Sequence, residues 1–465
     1  MVRLVARTVK YPHFIVKWAA ERSSLYRHLV GRFLILAIAC SLLAPQVARA
    51  SSDANRGPES YGYFDFPTCV RYALVHSEDF LKNRIDVQVK SIDLKDAHSE
   101  VFPTVQVITR YYIDRAKSKD STDNSHGSLS VSFFMLNWDI YVALLKIKSH
   151  SILVDIGQMS HFDKISENIG NMAKIFYRIH VLERVIKARK QAAALHKNRL
   201  DYFKTRLDQG AIDTVDYRSW ANLTRNENLR IRIMEKELEE RISSLKMLMG
   251  YQPDYYLPLD TRDAANQILG GFNGQMVSYA DIQSANLSLQ IAAKHEQLQS
   301  NRVTGSYVSL LPRPIIILEQ IENQVDRASG FNFALGFDYT VWDGFRRVRD
   351  IRRQKLRAMQ LKADRDQLSK RIYGSFTRLR DELGIFNEKV ALEREQVRIA
   401  ELDEERALLQ YKATQIPYDA YVQKRIGKVD AYANSLTSLQ ERVQALIDLA
   451  TIAGGLNRYN ARIQY

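Results

Sequence analysis

Three aspartates stand just past the two places where long helical patterns break. Asp213 and Asp216 follow Gly210, and Asp419 follows the Thr414–Pro417 stretch. Carboxylates at such positions act as helix N-caps or first-turn acids, a role worth about 1 kcal/mol. Tyr411 and Tyr418 bracket the second break, placed either to latch it or to pack it. Arg346, Arg347, Arg349, Arg352 and Arg353 cluster at the head of another helical run. They are suited to phosphate contacts, to an electropositive lumen, or to a solvated helix face. Patterns for enzyme chemistry are missing: there is no G-x-S-x-G, H-E-x-x-H or P-loop. The histidines are scattered without metal-ligand spacing, and Gly270-Gly271 follows no strand that would make it a phosphate loop. The sequence therefore predicts neither catalytic residue nor cofactor.

The elements that must carry these residues come in two copies. Trp138-Asp139 recurs as Trp342-Asp343, Ile212 as Ile416 and Tyr217 as Tyr421, each 204 residues on. A unit repeated at fixed offset marks a symmetric scaffold. Each copy has one order. A helix over 67–100, or 278–310, comes first. Two strand-like stretches split by a polar loop follow: 104–113 and 128–138, then 315–321 and 331–342, all but 315–321 alternating in polarity. A very long helix and its return helix close each copy, 140–207 with 215–249 and 345–411 with 418–453. The first fold-back is expected at Gly210–Asp213 and the second at 414–417. The apolar spacing in both long pairs predicts antiparallel coiled coils. Strands of about ten residues match the length that crosses a bilayer at a tilt. Boundaries follow: a leader over 1–50, a first repeat over 51–250, a connector over 251–275 and a second repeat over 276–465.

Bulk properties fit this layout. The chain has 465 residues, 46% hydrophobic, with only 10 prolines, too apolar and periodic for disorder. Its net charge is +14, but residues 1–50 hold eight basic residues against Glu21. Half of the basic excess thus lies in the leader, and no nucleic-acid partner is predicted. The apolar run 33–44 is too short to span a bilayer and suits a signal h-region, with Ala48 and Ala50 as an A-x-A cleavage site. Past it, Cys69 is the single cysteine, so no disulfide and no cysteine-based metal site is expected.

The combination resembles the TolC-like outer-membrane efflux protein family. Val341-Trp342-Asp343-Gly344 before a basic helix is similar to its strand-end motif. The stretch LDQGAI ending at Ile212, with Asp216 beyond, resembles its fold-back, and LKMLMGYQP ending at Pro253 its end-of-repeat signature. The segment 64–74 resembles its first helix, and Val101-Phe102-Pro103 its step into the first strand. Three departures stand out: Ile140 follows Asp139 where the family has Gly, Thr414 replaces the second fold-back Gly, and the second strand pair is short.

The resemblance implies a mainly α fold with a transmembrane β-barrel contribution. Three copies, four strands each, would close a twelve-stranded barrel in the outer membrane above an α-helical coiled-coil tunnel reaching into the periplasm. It implies a passive exit channel of a tripartite efflux pump or type I secretion system. Its partners would be two further copies, a periplasmic adaptor, an inner-membrane pump and outer-membrane lipid. Asp213, Asp216 and Asp419, with Tyr411 and Tyr418, would form the periplasmic gate, since rings of acid repel like charge and favour cations. Tyr111, Tyr112, Trp138, Tyr339 and Trp342 would sit in the aromatic girdles of the barrel. A periplasmic coiled-coil adaptor or scaffold is the alternative, though it would not need two amphipathic hairpins; a soluble coiled-coil enzyme is the other, to be revealed by an activity or a bound cofactor.

Overall fold

Apolar residues at three- and four-residue spacing, with no proline for almost seventy residues, leave the chain after Asp139 one low-energy option. It forms a single helix, α3 (Ile140–Asp208). The computed structural model describes residues 63–102, 108–114, 126–137, 140–270, 272, 277–323 and 329–454. The expected leader, with Ala48 and Ala50, lies outside the described residues, as does Trp138.

The lead-in is two helices where one was expected. α1 (Phe66–His76) starts at Asp65, whose carboxylate accepts from the Thr68 amide at 2.9 Å. Ser77 then turns extended, and α2 (Glu78–Ser99) begins. No glycine or proline marks this break. The cause is tertiary: the backbone at Gly250 presses against the carbonyl of His76, so closely that a Cβ there would lie 2.5 Å from it. Strands β1 (Ile108–Asp114) and β2 (His126–Asn137) follow, then α3 and its return helix α4 (Thr214–Met249). The segment after α4 is anchored rather than loose. It holds the short helix α5 (Ala264–Leu269), and its Pro258–Asp260 backbone exchanges hydrogen bonds with Phe64 at 2.7 and 3.0 Å.

The second half opens with α6 (Tyr279–Ala285) and α7 (Leu287–Val308), again two helices in place of one. Asn286 breaks the run. Its side-chain oxygen caps α7 through the Leu289 amide at 3.1 Å, and its amide nitrogen donates to the Ile452 carbonyl at 3.2 Å. Strands β3 (Arg313–Asn323) and β4 (Ser329–Asp338) are as long as the first pair, so the shortness expected of them is corrected. β3 begins two residues earlier than expected and takes in Pro314, tolerable at the start of a strand. Helices α8 (Arg346–Lys412) and α9 (Tyr418–Ile452) complete the chain.

The strands form one antiparallel sheet in the order β1-β2-β3-β4. Its central pairing, Ser128 opposite Asn323 through Asn137 opposite Ile315, joins the hairpin of one half to that of the other. Among the described residues of a single chain the sheet is open, with β1 and β4 as its edges. The core lies midway along the helices, where α1, α5 and the ends of α4 and α9 meet the middle of α3. Phe66, Ile169, Met172, Phe176, Leu245 and Ile447 are fully buried there. Each such side chain contributes about 2 kcal/mol by leaving water.

Candidate functional site: the two helix fold-backs

Both fold-backs are the same turn, built from different residues. At the first, the Gly210 amide donates to Leu207 O at 2.9 Å and the Ala211 amide to Arg206 O at 2.8 Å. At the second, Thr414 donates to Tyr411 O and Gln415 to Gln410 O, both at 2.9 Å. This paired pattern closes a helix with a left-handed residue just past its end. Gly210 adopts φ +71° without penalty, whereas Thr414 is held at +57° against the preference of a β-branched side chain. The Gly-to-Thr departure thus leaves the turn intact and stores strain in it. Pro417, with φ −72°, starts the return helix α9.

The aspartates divide by environment. Asp213 occupies the N-cap position of α4 without capping it; its carboxylate accepts from the Thr214 hydroxyl at 3.1 Å. Asp216 lies in the first turn of α4, exposed and in no ion pair among the described residues. Asp419 is instead paired with Arg199 of α3. That arginine is 3% exposed, and its guanidinium lies 3.3 Å from the centre of the Trp220 ring, which in turn stacks on Phe203 at 5.3 Å. A buried guanidinium is tolerated because the carboxylate and the ring faces replace its water. Tyr411 and Tyr418 meet each other at 5.8 Å and join a ring cluster with Tyr202 and Tyr421.

Arg199 is the last rung of a ladder. Arg178 donates to Glu237 of α4 at 2.9 and 3.0 Å and to Gln440 of α9 at 2.5 Å. Arg189 joins Glu227 of α4 at 3.4 Å and Asp430 of α9. Three arginines on α3, about three turns apart, each hold one partner on α4 and one on α9. His196 lies within this network. Burial holds its imidazole below the ordinary value, opposed by Glu227 and Asp430 and reinforced by Arg199 and Arg189. None of Arg199, Trp220, Phe203 or Tyr202 stood out in the sequence. Tyr421 did, through its match to Tyr217.

At the opposite end of α8, the Trp-Asp-Gly motif sets the helix start. Asp343 accepts from the amides of Arg346 at 3.1 Å and Arg347 at 3.0 Å, and Gly344 and Phe345 both take positive φ. Trp342 lies in this turn, packed edge-on to Phe345 at 4.8 Å, rather than at the strand end expected of it, because β4 stops at Asp338. Tyr339 and Trp342 are exposed, as are Phe333 and Phe337. Tyr111 and Tyr112 fall within β1, and their side chains lie outside the described set.

No known family profile matches the sequence, and no curated protein matches it. Solved structures do match. A membrane protein from Pseudomonas aeruginosa superposes with a TM-score of 0.72 at 10% identity, covering 84% of this chain and 92% of the other. The Campylobacter jejuni CmeC outer-membrane channel gives 0.70 at 11%, covering 84% and 85%. The open state of the Neisseria gonorrhoeae MtrE outer-membrane channel gives 0.66 at 9%, covering 84% and 88%. Over most of its length the chain is thus arranged as those proteins are: it has the TolC-like outer-membrane-channel fold.

Proposed function

We propose that this protein is a passive exit channel of the outer membrane, reaching into the periplasm and serving a tripartite efflux pump or a type I secretion system. The observation that carries the reading is the open sheet seated on two matched helical hairpins. Four strands with two free edges are not viable in lipid, where every backbone group needs a partner. Three copies supply twelve strands and remove the edges. Threefold symmetry then turns each hairpin pair into a wall of a tunnel. The protein itself contributes a path and a gate and no catalytic residue; energy comes from an inner-membrane pump through a periplasmic adaptor.

The gate is assigned to the fold-backs. Asp213 and Asp216, exposed just past the first turn, form rings of negative charge that attract cations and slow their passage. Asp419 contributes differently: with Arg199 it ties α9 to α3, so opening must slide or break that contact. Exposed Tyr339 and Trp342 are the interfacial aromatics of the barrel. The test is single-channel recording in planar bilayers. Replacing Asp213→Ala and Asp216→Ala together raises conductance or weakens block by divalent cations. Unchanged conductance and block remove these residues from the gate.

A further inference from the structure

The arginines at the head of α8 are not demanded by the fold. The 204-residue offset carries Arg346, Arg353 and Arg357 onto Val142, Ser149 and Leu153 of α3, and that helix forms without a cation at any of the three. Arg346, Arg353 and Arg357 follow one another at seven and four residues, so they share one face of α8 over about 16 Å. All three are exposed. The neighbouring α7 adds a fourth, Arg302, also exposed. The Ser306 hydroxyl of α7 meets Asp350 of α8 at 3.5 Å, and Gln299 donates to Gln354 at 2.9 Å. The two helices thus run in opposite senses, and these contacts set Arg302 level with Arg353.

The side on which the four arginines lie follows from the packing. α6 covers one side of α8: the Tyr279 hydroxyl meets Ser369 at 3.0 Å, and its ring meets Tyr373 at 4.9 Å. Lys355 precedes Ser369 by close to four full turns and so shares that side, with its ammonium 5.3 Å from the centre of the Tyr307 ring of α7. Two helical positions lie about 200° apart, so Arg353 and Arg357, which flank Lys355, point to the opposite side. Arg346, about 180° from Lys355, points there too, and Arg302 is turned about 140° from Tyr307. Arg352, only about 60° from Lys355, stays on the side of α6. In a tunnel built of three copies, the side carrying additional helices is the outer one, since helices added within would fill the bore. The arginine side is then the inner one.

This charge is mostly uncompensated. Asp350 reaches Arg353 at 3.4 Å, while Arg302, Arg346 and Arg357 are in no ion pair among the described residues. A guanidinium binds phosphate or carboxylate through two parallel hydrogen bonds, and rings of arginine in a pore select anions. Resting on the channel proposed above, we infer that Arg302, Arg346, Arg353 and Arg357 form a collar at the sheet end of the tunnel that binds multiply charged anions, solutes bearing phosphate or carboxylate groups, on their way into the barrel. The class of cargo this path favours is therefore anionic.

The test uses the full-length protein in planar bilayers, with inorganic tripolyphosphate as the probe. Added on the barrel side, tripolyphosphate blocks the native channel. Arg346→Gln, Arg353→Gln and Arg357→Gln combined raise the half-blocking concentration about tenfold and shift the zero-current potential in a salt gradient toward cation selectivity. Lysine at the same three positions keeps the native potential, and Arg352→Gln changes neither reading. A triple Gln channel with native block and native potential overturns the collar and leaves the channel standing. So does one with native block that loses bound phospholipid in native mass spectrometry, which sets the arginines against lipid headgroups instead. Arg352→Gln weakening the block as much as the triple variant overturns the assignment of sides. Protein that forms no conducting pore overturns channel and collar together.

Discussion

Arg199 shows how much the fold-back depends on one side chain. It is buried, faces Trp220, and neutralises Asp419 across two helices. Arg199→Ala leaves Asp419 partly buried without its counter-charge, at a cost on the order of 2 kcal/mol. Hydrogen exchange at amides of both turns is then expected to speed up roughly thirtyfold, with the core helices unchanged. Unaltered exchange at the turns would show the pair to be dispensable. His196 adds a pH dependence. Burial lowers its proton affinity in the folded chain, so below the ordinary 6.5 the unfolded chain takes up the proton more readily. Stability contributed by the neutral ring is complete above that value and is lost as pH falls toward the depressed one. His161, His180 and His295 are shifted the same way by burial. The thermal midpoint should therefore drop between pH 7 and about pH 5, and His196→Gln should lessen the drop. A midpoint rising on acidification would contradict the sign. None of this was legible in the sequence: a buried arginine looks like any other in a basic helix until its partners, far along the chain, are placed beside it.

At the level of elements, local pattern and tertiary contact divided the work. The long helices, their return partners and both fold-backs were legible because three-four spacing persists for tens of residues and the stops carry Gly210, Gly250 and Pro417. Three of the four strands were legible from alternation, and the third from its run of β-branched and apolar residues, Ile315–Leu318. The breaks at Ser77 and Asn286 were not, since each answers to a distant contact: His76 against Gly250, and Asn286 against Ile452. The turns supply a matched pair of expectations. Gly250→Ala combines φ +68° with a Cβ 2.5 Å from a carbonyl oxygen, and should destabilise by about 3 kcal/mol. Thr414→Gly relieves a left-handed threonine in open surroundings and should stabilise by about 1 kcal/mol. Denaturant unfolding of both variants decides it; a destabilised Thr414→Gly would mean the side chain, not the backbone, holds that turn.

For the whole molecule, the repeat matters more than any residue. The 204-residue offset relates the two fold-back turns, and β2 of one half pairs with β3 of the other. What a single chain leaves unsatisfied, among the described residues, is the pair of open strand edges at β1 and β4. The sequence disclosed the repeat and the strands but not which helix faces stay exposed, because exposure on a long helix is decided by which side its neighbour takes. Native mass spectrometry of protein extracted in detergent from outer membranes addresses the assembly most directly. The account predicts a particle of three chains that needs detergent to stay dispersed; a single chain soluble in buffer alone would contradict it.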